Sequence, residues 1–422
     1  MFRSSRKRGH LLKIVAVAAT GMLATAACGS NSSDGGGSGS ADPVKIGLVV
    51  HNTGPFADTG RMEQIGAKIA VEEINKAGGI KALGGAKIEL VIEDAGTSVE
   101  TSVAAANRAV DKGIIAGEGT GISSTTLAVT EIAERRQIPW VTVSFEDKIT
   151  ERGFKYTFAT SPKTSEFTDL WVKAIQELSK QSGITIDKVG IVAGTNVVQV
   201  SAAKQLKDTY AGQNGWKIVM DQAFEDGSLR DATPVVDKIR ATTPQLLLVG
   251  APIGDIQKIS SKQVEQGMTP VPWVLSGAPF LSGAFLDALG AKAVNGTFAV
   301  ASAAPFKGQV ELGEKVRAAG DAYPQEYHFA PYSHMYLIAE AIERAKSRDP
   351  QKIRDELAKT DVAAPDPAAI PWPAQRVRFD ETGRATDRVA VLVQWQGTKT
   401  VTVFPLDLAE GPPIWPTFKP TK

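Results

Sequence analysis

Two adjacent serines, Ser123 and Ser124, stand in GTGISSTTLAV (Gly119–Val129), behind glycines and ahead of an apolar run. A serine hydroxyl can attack a substrate or simply hydrogen-bond to one, and its flanking residues separate the two chemistries. A nucleophile elbow needs G-x-S-x-G, and Gly121-Ile122-Ser123-Ser124-Thr125 lacks the closing glycine. His51 could be offered as a base, but nothing in the sequence sets it against a serine and an acid, so a solvated or structural histidine is expected. GEGTG (Gly117–Gly121) misses the G-x-G-x-x-G spacing, and there is neither a P-loop nor H-E-x-x-H. His328 and His334 lie six apart near a helix start and are expected at the surface, while a single cysteine cannot build a zinc cluster. Catalysis, a cofactor and a metal are therefore not expected. Binding remains. The first N–H groups of a helix lack internal partners and sit at the positive end of its dipole, so an anion or a carbonyl is welcome there. Ser123 is expected to cap such a helix and also to face a ligand, with Ser124 beside it.

The one cysteine, Cys28, follows five basic residues, an apolar run from Ile14 and the small pair Ala26 and Ala27, which is the order of an export signal. The segment resembles the bacterial lipobox, with Thr25 standing where that pattern usually has leucine. A lipid on Cys28 would explain one cysteine without a disulfide framework in an exported chain. Residues 1–27 are thus read as a lipoprotein signal and 28–43 as a flexible Gly/Ser tether. Removing five basic and no acidic residues takes the formal charge from +1 to −4. No basic field is left to hold nucleic acid.

Something must position the serines. VKIGLVV (Val44–Val50) reads as a buried parallel strand, followed by a helix with Met62, Ile65, Ile69, Ala70 and Ile74 on one side. Strand and helix then alternate past KVGIVAG (Lys188–Gly194), QLLLVG (Gln245–Gly250) and GTFAVA (Gly296–Ala301). Asp349-Pro350 reads as the cap and first turn of a late helix, and RVRFDETGRA and VAVLVQWQGTKTVTVFP read as hairpin strands. Such alternation implies parallel sheets covered on both faces. About 380 residues beyond the tether exceed one ordinary core, so two doubly wound sheets with a cleft between them are expected. Ligands of open α/β sheets sit outside the carboxyl ends of the strands. That adds Phe56, after the first strand, and Ser144 and Phe145, after PWVTVS, to the candidate site.

Six stretches together resemble the type I periplasmic solute-binding proteins of the branched-chain amino acid and amide group: TGPFADTG, VEEINKAGGIKALGGAKIELVIEDAG, GTGISSTTLAV, RGFKYTFATSP, YSHMYLIAEAIERA and VRFDETG. The resemblance implies two α/β lobes joined by three crossings, expected near Ser161, Ser302 and Gln375. Lobe 1 would then be 44–161 plus 302–375 and lobe 2 would be 162–301 plus 376–404, with a Pro-rich tail over 405–422. It implies that the loop at Ser123 grips a carboxylate or polar head, and that second-lobe loops add Gln199, Pro252 and Gly277. Amino acid binders of this group offer aromatic side chains and a carboxylate from those loops. Here they show Val198 and Gln199, Pro252 and Ile253, Gly277 and Ala278. The partner for a ligand ammonium is missing there, unless Glu118, Glu146, Asp147 or Asp255 swings in. A less charged or more apolar solute is expected: an amide, or an aromatic or aliphatic acid. The implied function is an extracytoplasmic, lipid-anchored, monomeric solute-binding component of an ABC importer, handing its solute to a permease. A sensor that passes its closed state to a signalling receptor is the alternative.

Overall fold

The computed structural model describes residues 41–268, 271, 273–307 and 310–414. Cys28, the export signal and most of the tether lie outside them, as do the last eight residues of the tail.

The first sheet is built from β1 (Val44–Val50), α1 (Ala57–Lys76), β2 (Ile88–Asp94), α2 (Val99–Asp111), β3 (Ala116–Gly119), α3 (Ser123–Arg136), β4 (Trp140–Thr142) and β5 (Thr157–Ala159). Its strands lie in the order β2-β1-β3-β4-β5, all parallel. β1 is an interior strand, apolar on both faces because helices cover both sides of the sheet. Ser98 and Thr101 form a capping box that starts α2.

The second sheet begins after α4 (Thr164–Ser182). It takes β6 (Lys188–Gly194), α5 (Val197–Gln205), a π-turn running into α6 (Ala211–Asn214), β7 (Lys217–Phe224), α7 (Thr233–Thr242), β8 (Leu246–Gly250) and α8 (Ile253–Glu265). β9 (Trp273–Ser276), α9 (Gly283–Leu289), α10 (Ala291–Val294) and β10 (Phe298–Ala301) follow. The chain then returns to the first lobe with α11 (Glu311–Ala318), α12 (Glu326–Ala345) and α13 (Pro350–Leu357), the last capped by Asp349 as expected. α12 packs along α1.

One expectation fails in this region. RVRFDETGRA does turn back on itself as expected, Phe379 bridging Ala385 antiparallel, but it does not join the second lobe: β11 (Asp361–Ala363) pairs antiparallel with β12 (Arg376–Arg378), and Arg384 bridges Ala159 at the end of β5. Phe379 packs on Phe158, with ring centroids 5.1 Å apart, and the Asp380 carboxylate accepts from the N–H groups of Thr382 and Arg384. These contacts hold the segment against the first sheet. The third crossing therefore spans 386–390 rather than lying near Gln375. β13 (Val391–Gln396) and β14 (Lys399–Phe404) then form the expected hairpin. They complete a sheet in the order β14-β13-β10-β9-β8-β6-β7.

Candidate functional site

The carboxyl ends of β1, β3 and β4 face those of β6, β8 and β9 across a cavity of about 1010 Å³, open solvent at its mouth included. Phe56, Ser123 and Phe145 line it from one lobe, and Gln199, Pro252 and Gly277 from the other. Residues widely separated in the chain thus come to one place.

Two expected residues do not line it. Ser144 has no exposed surface, and its hydroxyl is engaged by Thr126 Oγ1 at 2.6 Å, the Thr120 carbonyl at 2.8 Å and Thr142 Oγ1 at 3.1 Å. It braces the loop from behind. Ser124, half-buried, follows Ser123 by one residue on α3, about 100° round the helix, and points elsewhere.

Ser123 departs from its expected local role. It is the first residue of α3, the cap position is Ile122, and the Ser123 hydroxyl accepts from the N–H groups of Phe145 at 3.1 Å and Glu146 at 3.3 Å. Both lone pairs are thereby used. Among the described residues its proton meets no acceptor, and the side chain faces the cavity with 4% exposure.

Most of the remaining wall is apolar, with Thr164, Thr168, Asn196 and Ser276 among the polar exceptions. Phe145 lies 4.6 Å from Phe167, and Trp171 one turn further along α4 also faces the cavity, as do Phe280 and Tyr327. Phe167 and Trp171 recur at helical spacing on one apolar face of α4, a pattern that does not say what the face meets. Gln199 donates to the Ser276 carbonyl at 3.3 Å, which ties two second-lobe loops together, and its own N–H is capped by Asn196. Gly277, at φ 125°, turns the chain where another residue would be strained.

Charge is sparse in the lining. Among the described residues no second-lobe carboxylate lines the cavity. Glu118 is buried against His334 Nδ1 at 3.0 Å, Asp255 is held by the Gly227 N–H and Lys258, Asp147 accepts from Ser165, and Glu146 accepts from Ser201 of α5 at 3.3 Å. The carboxylate that sequence reasoning missed is Asp58, in the first turn of α1, which pairs with Arg61 at 2.9 Å.

The three described histidines are structural. His51 joins the Gly96 carbonyl at 2.8 Å and Thr125 at 3.2 Å, and burial lowers its pKa. His328 and His334, expected at the surface, are fully buried because the first half of α12 is packed on every side. His334 spans Glu118 and Thr160 Oγ1, and burial pulls it down to about 3. Burial pushes Glu118 and the neighbouring Glu63 up, and the proximity of two like charges adds to the rise of Glu63.

Comparison with known proteins agrees with this geometry. A leucine-, isoleucine-, valine-, threonine- and alanine-binding protein of Pseudomonas aeruginosa is 27% identical over 86% of this chain and 92% of its own length. A leucine-binding protein of Thermotoga maritima superposes with a TM-score of 0.73 at 22% identity, covering 86% of this chain and all of that one. A branched-chain amino acid binding protein of Streptococcus pneumoniae, solved with isoleucine, gives 0.72 at 21% identity over 85% of this chain and 98% of that one. The pattern of the periplasmic binding proteins matches residues 43–400, and the chain belongs to that family.

Proposed function

We propose that this chain is the solute-binding component of an ABC-type importer, monomeric and held at the outer face of the cell membrane by a lipid on Cys28. Its solute is small and mostly apolar with one polar head: an aromatic or aliphatic acid, or an amide. The observation that carries this reading is the cavity between the lobes, walled by Phe145, Phe167, Trp171 and Phe280, with no second-lobe carboxylate among the described residues that line it. Ser123 offers a proton to the head, while Phe56, Gln199, Pro252 and Gly277 complete the enclosure. A zwitterionic amino acid would bring an ammonium for which the lining offers one carboxylate, Asp58, already shared with Arg61 through Oδ1, and none from the second lobe among the described residues; an ammonium out of reach of Asp58 Oδ2 has no partner. Leaving that cation unpaired costs several kcal/mol, on the order of the whole affinity of a micromolar ligand. Function follows from hinge closure: the solute favours the closed form only through the contacts it makes with both lobes. The closed form then docks on the permease.

A thermal-shift screen of amino acids, amides and small acids tests the reading. A true solute at 100 times its Kd adds about 2.7 kcal/mol of stability. Tight binding of leucine, isoleucine or valine by calorimetry overturns the choice of solute, and silence across the screen removes the support for transport.

A further inference from the structure

Arg384 has no exposed surface, yet among the described residues its guanidinium hydrogen-bonds only to neutral oxygens. Nη2 donates to the Glu146 carbonyl at 3.0 Å and Nε to Thr150 Oγ1 at 3.1 Å; Nη1 lies 3.2 Å from the carbonyls of Ser144 and Ser161 and from Ser161 Oγ. Burial lowers its pKa to about 10, so it stays cationic at neutral pH. Asp147, Glu166 and Asp380 act on it from beyond hydrogen-bond distance, and Arg388 opposes it. Glu166 is itself tied to Arg388, and Asp147 to Ser165.

The carbonyl of Ser144 and the N–H of Phe145 belong to one peptide group. Arg384 pulls on its oxygen, and its N–H points at Ser123 Oγ. The next peptide repeats the arrangement. The Phe145 carbonyl accepts from the N–H of Thr164 at 2.8 Å and from its hydroxyl at 3.1 Å, at the positive end of the 19-residue α4, and the Glu146 N–H points at the same Ser123 Oγ. Hydrogen bonds in series polarise one another. Two polarised peptides therefore converge on one oxygen, whose unpartnered proton faces the cavity.

We propose that Arg384 is a positioning residue that acts through the Ser144–Glu146 arch to make Ser123 a charge-selective donor, one that favours the carboxylate over the neutral form of the head that the family resemblance sets at this loop. This narrows the apolar acid or amide proposed above and rests on that reading. Fixed dipoles aimed at one spot favour negative charge there, and hydrogen bonds to an ionised acceptor are about twice as strong as neutral ones.

The test is calorimetric titration of the full-length chain at neutral pH with benzoate, phenylacetate, hexanoate and octanoate, each beside its primary amide. At least one acid is expected to bind about tenfold or more tighter than its amide. Arg384→Met should shrink that ratio to about twofold with amide affinity little changed, and Arg384→Lys, which keeps the charge, should restore most of it. Loss of packing alone would weaken acid and amide together and leave the ratio standing, which overturns the inference. Ser123→Ala removes the end of the relay and should close the ratio with Arg384 intact, so the idea stays exposed to failure if Arg384→Met does not fold. Amides that bind as tightly as acids sink the carboxylate and leave the solute-binding reading in place. Silence of both sets sinks that reading, and the inference with it.

Discussion

Asp58 reaches the cavity from the first turn of α1, with Oδ1 on Arg61 at 2.9 Å and Oδ2 buried without a hydrogen-bond partner. A bare carboxylate oxygen repels a solute carboxylate and attracts an N–H or O–H, so this side chain reports the sign of the head group. Arg61 also holds Asp321 at 2.7 Å and keeps that partner if Asp58 is changed. For an anionic solute, Asp58→Asn is expected to tighten binding of acids about two- to fivefold, as befits one half-exposed charge, and to leave their amides unchanged. Salt should erode the gain. Titration of both forms at low and high salt measures it, and weaker binding of acids by Asp58→Asn would mean that the solute presents a donor to Oδ2.

The helices α1 and α12 bring Asp58 and Tyr327 to the cavity, and they approach so closely that a Cβ on Gly66 would sit 1.9 Å from the His328 carbonyl oxygen. Gly66→Ala must push the helices apart, with an expected loss of about 1–3 kcal/mol in urea unfolding and weaker solute binding in the same protein. An unchanged unfolding midpoint would mean that the two helices slide freely. Much at this scale was legible in advance. β1 and β6 run over the residues that their apolar runs marked, and Asp349-Pro350 opens a helix, because buried parallel strands and helix caps carry local signals. Six of the eight expected ligand residues line the cavity: Phe56, Ser123 and Phe145 because strand ends mark where loops gather, and Gln199, Pro252 and Gly277 as the family resemblance implied. Trp171 was not legible as cavity wall: an apolar helix face has the same spacing whether a sheet or a solute covers it. Nor was the burial of His328 and His334, whose partners Asp321, Glu118 and Thr160 are set by tertiary packing. The Arg376–Ala385 segment alternates like a strand, but Phe379 and the Asp380 turn decide which lobe it joins.

Across the whole molecule, each crossing between the lobes is fastened by a buried polar group. Arg384 holds Ser161 at the first crossing and stands just before the third, and Glu326, at the start of α12, holds Ser302 at the second through the serine N–H and, at 2.7 Å, its hydroxyl. Burial raises Glu326 from 4.5 to about 7, while its Oε1 finds no partner. A carboxyl whose pKa is higher in the folded chain takes up a proton on folding, so its contribution is complete below pH 4.5 and is lost as pH rises through about 7. Glu118 and Glu63 act in the same direction, whereas His334, held neutral, makes the fold weaker as pH falls below 6.5. Glu326→Gln keeps an oxygen for Ser302 but cannot titrate, so the difference between wild type and variant isolates this one group. Thermal unfolding at pH 5 and pH 8 should show a larger drop in Tm for the wild type than for Glu326→Gln. Parallel drops would mean that the Glu326 carboxyl ionises at its ordinary pH, and that the second crossing is held by a carboxylate rather than by a neutral acid.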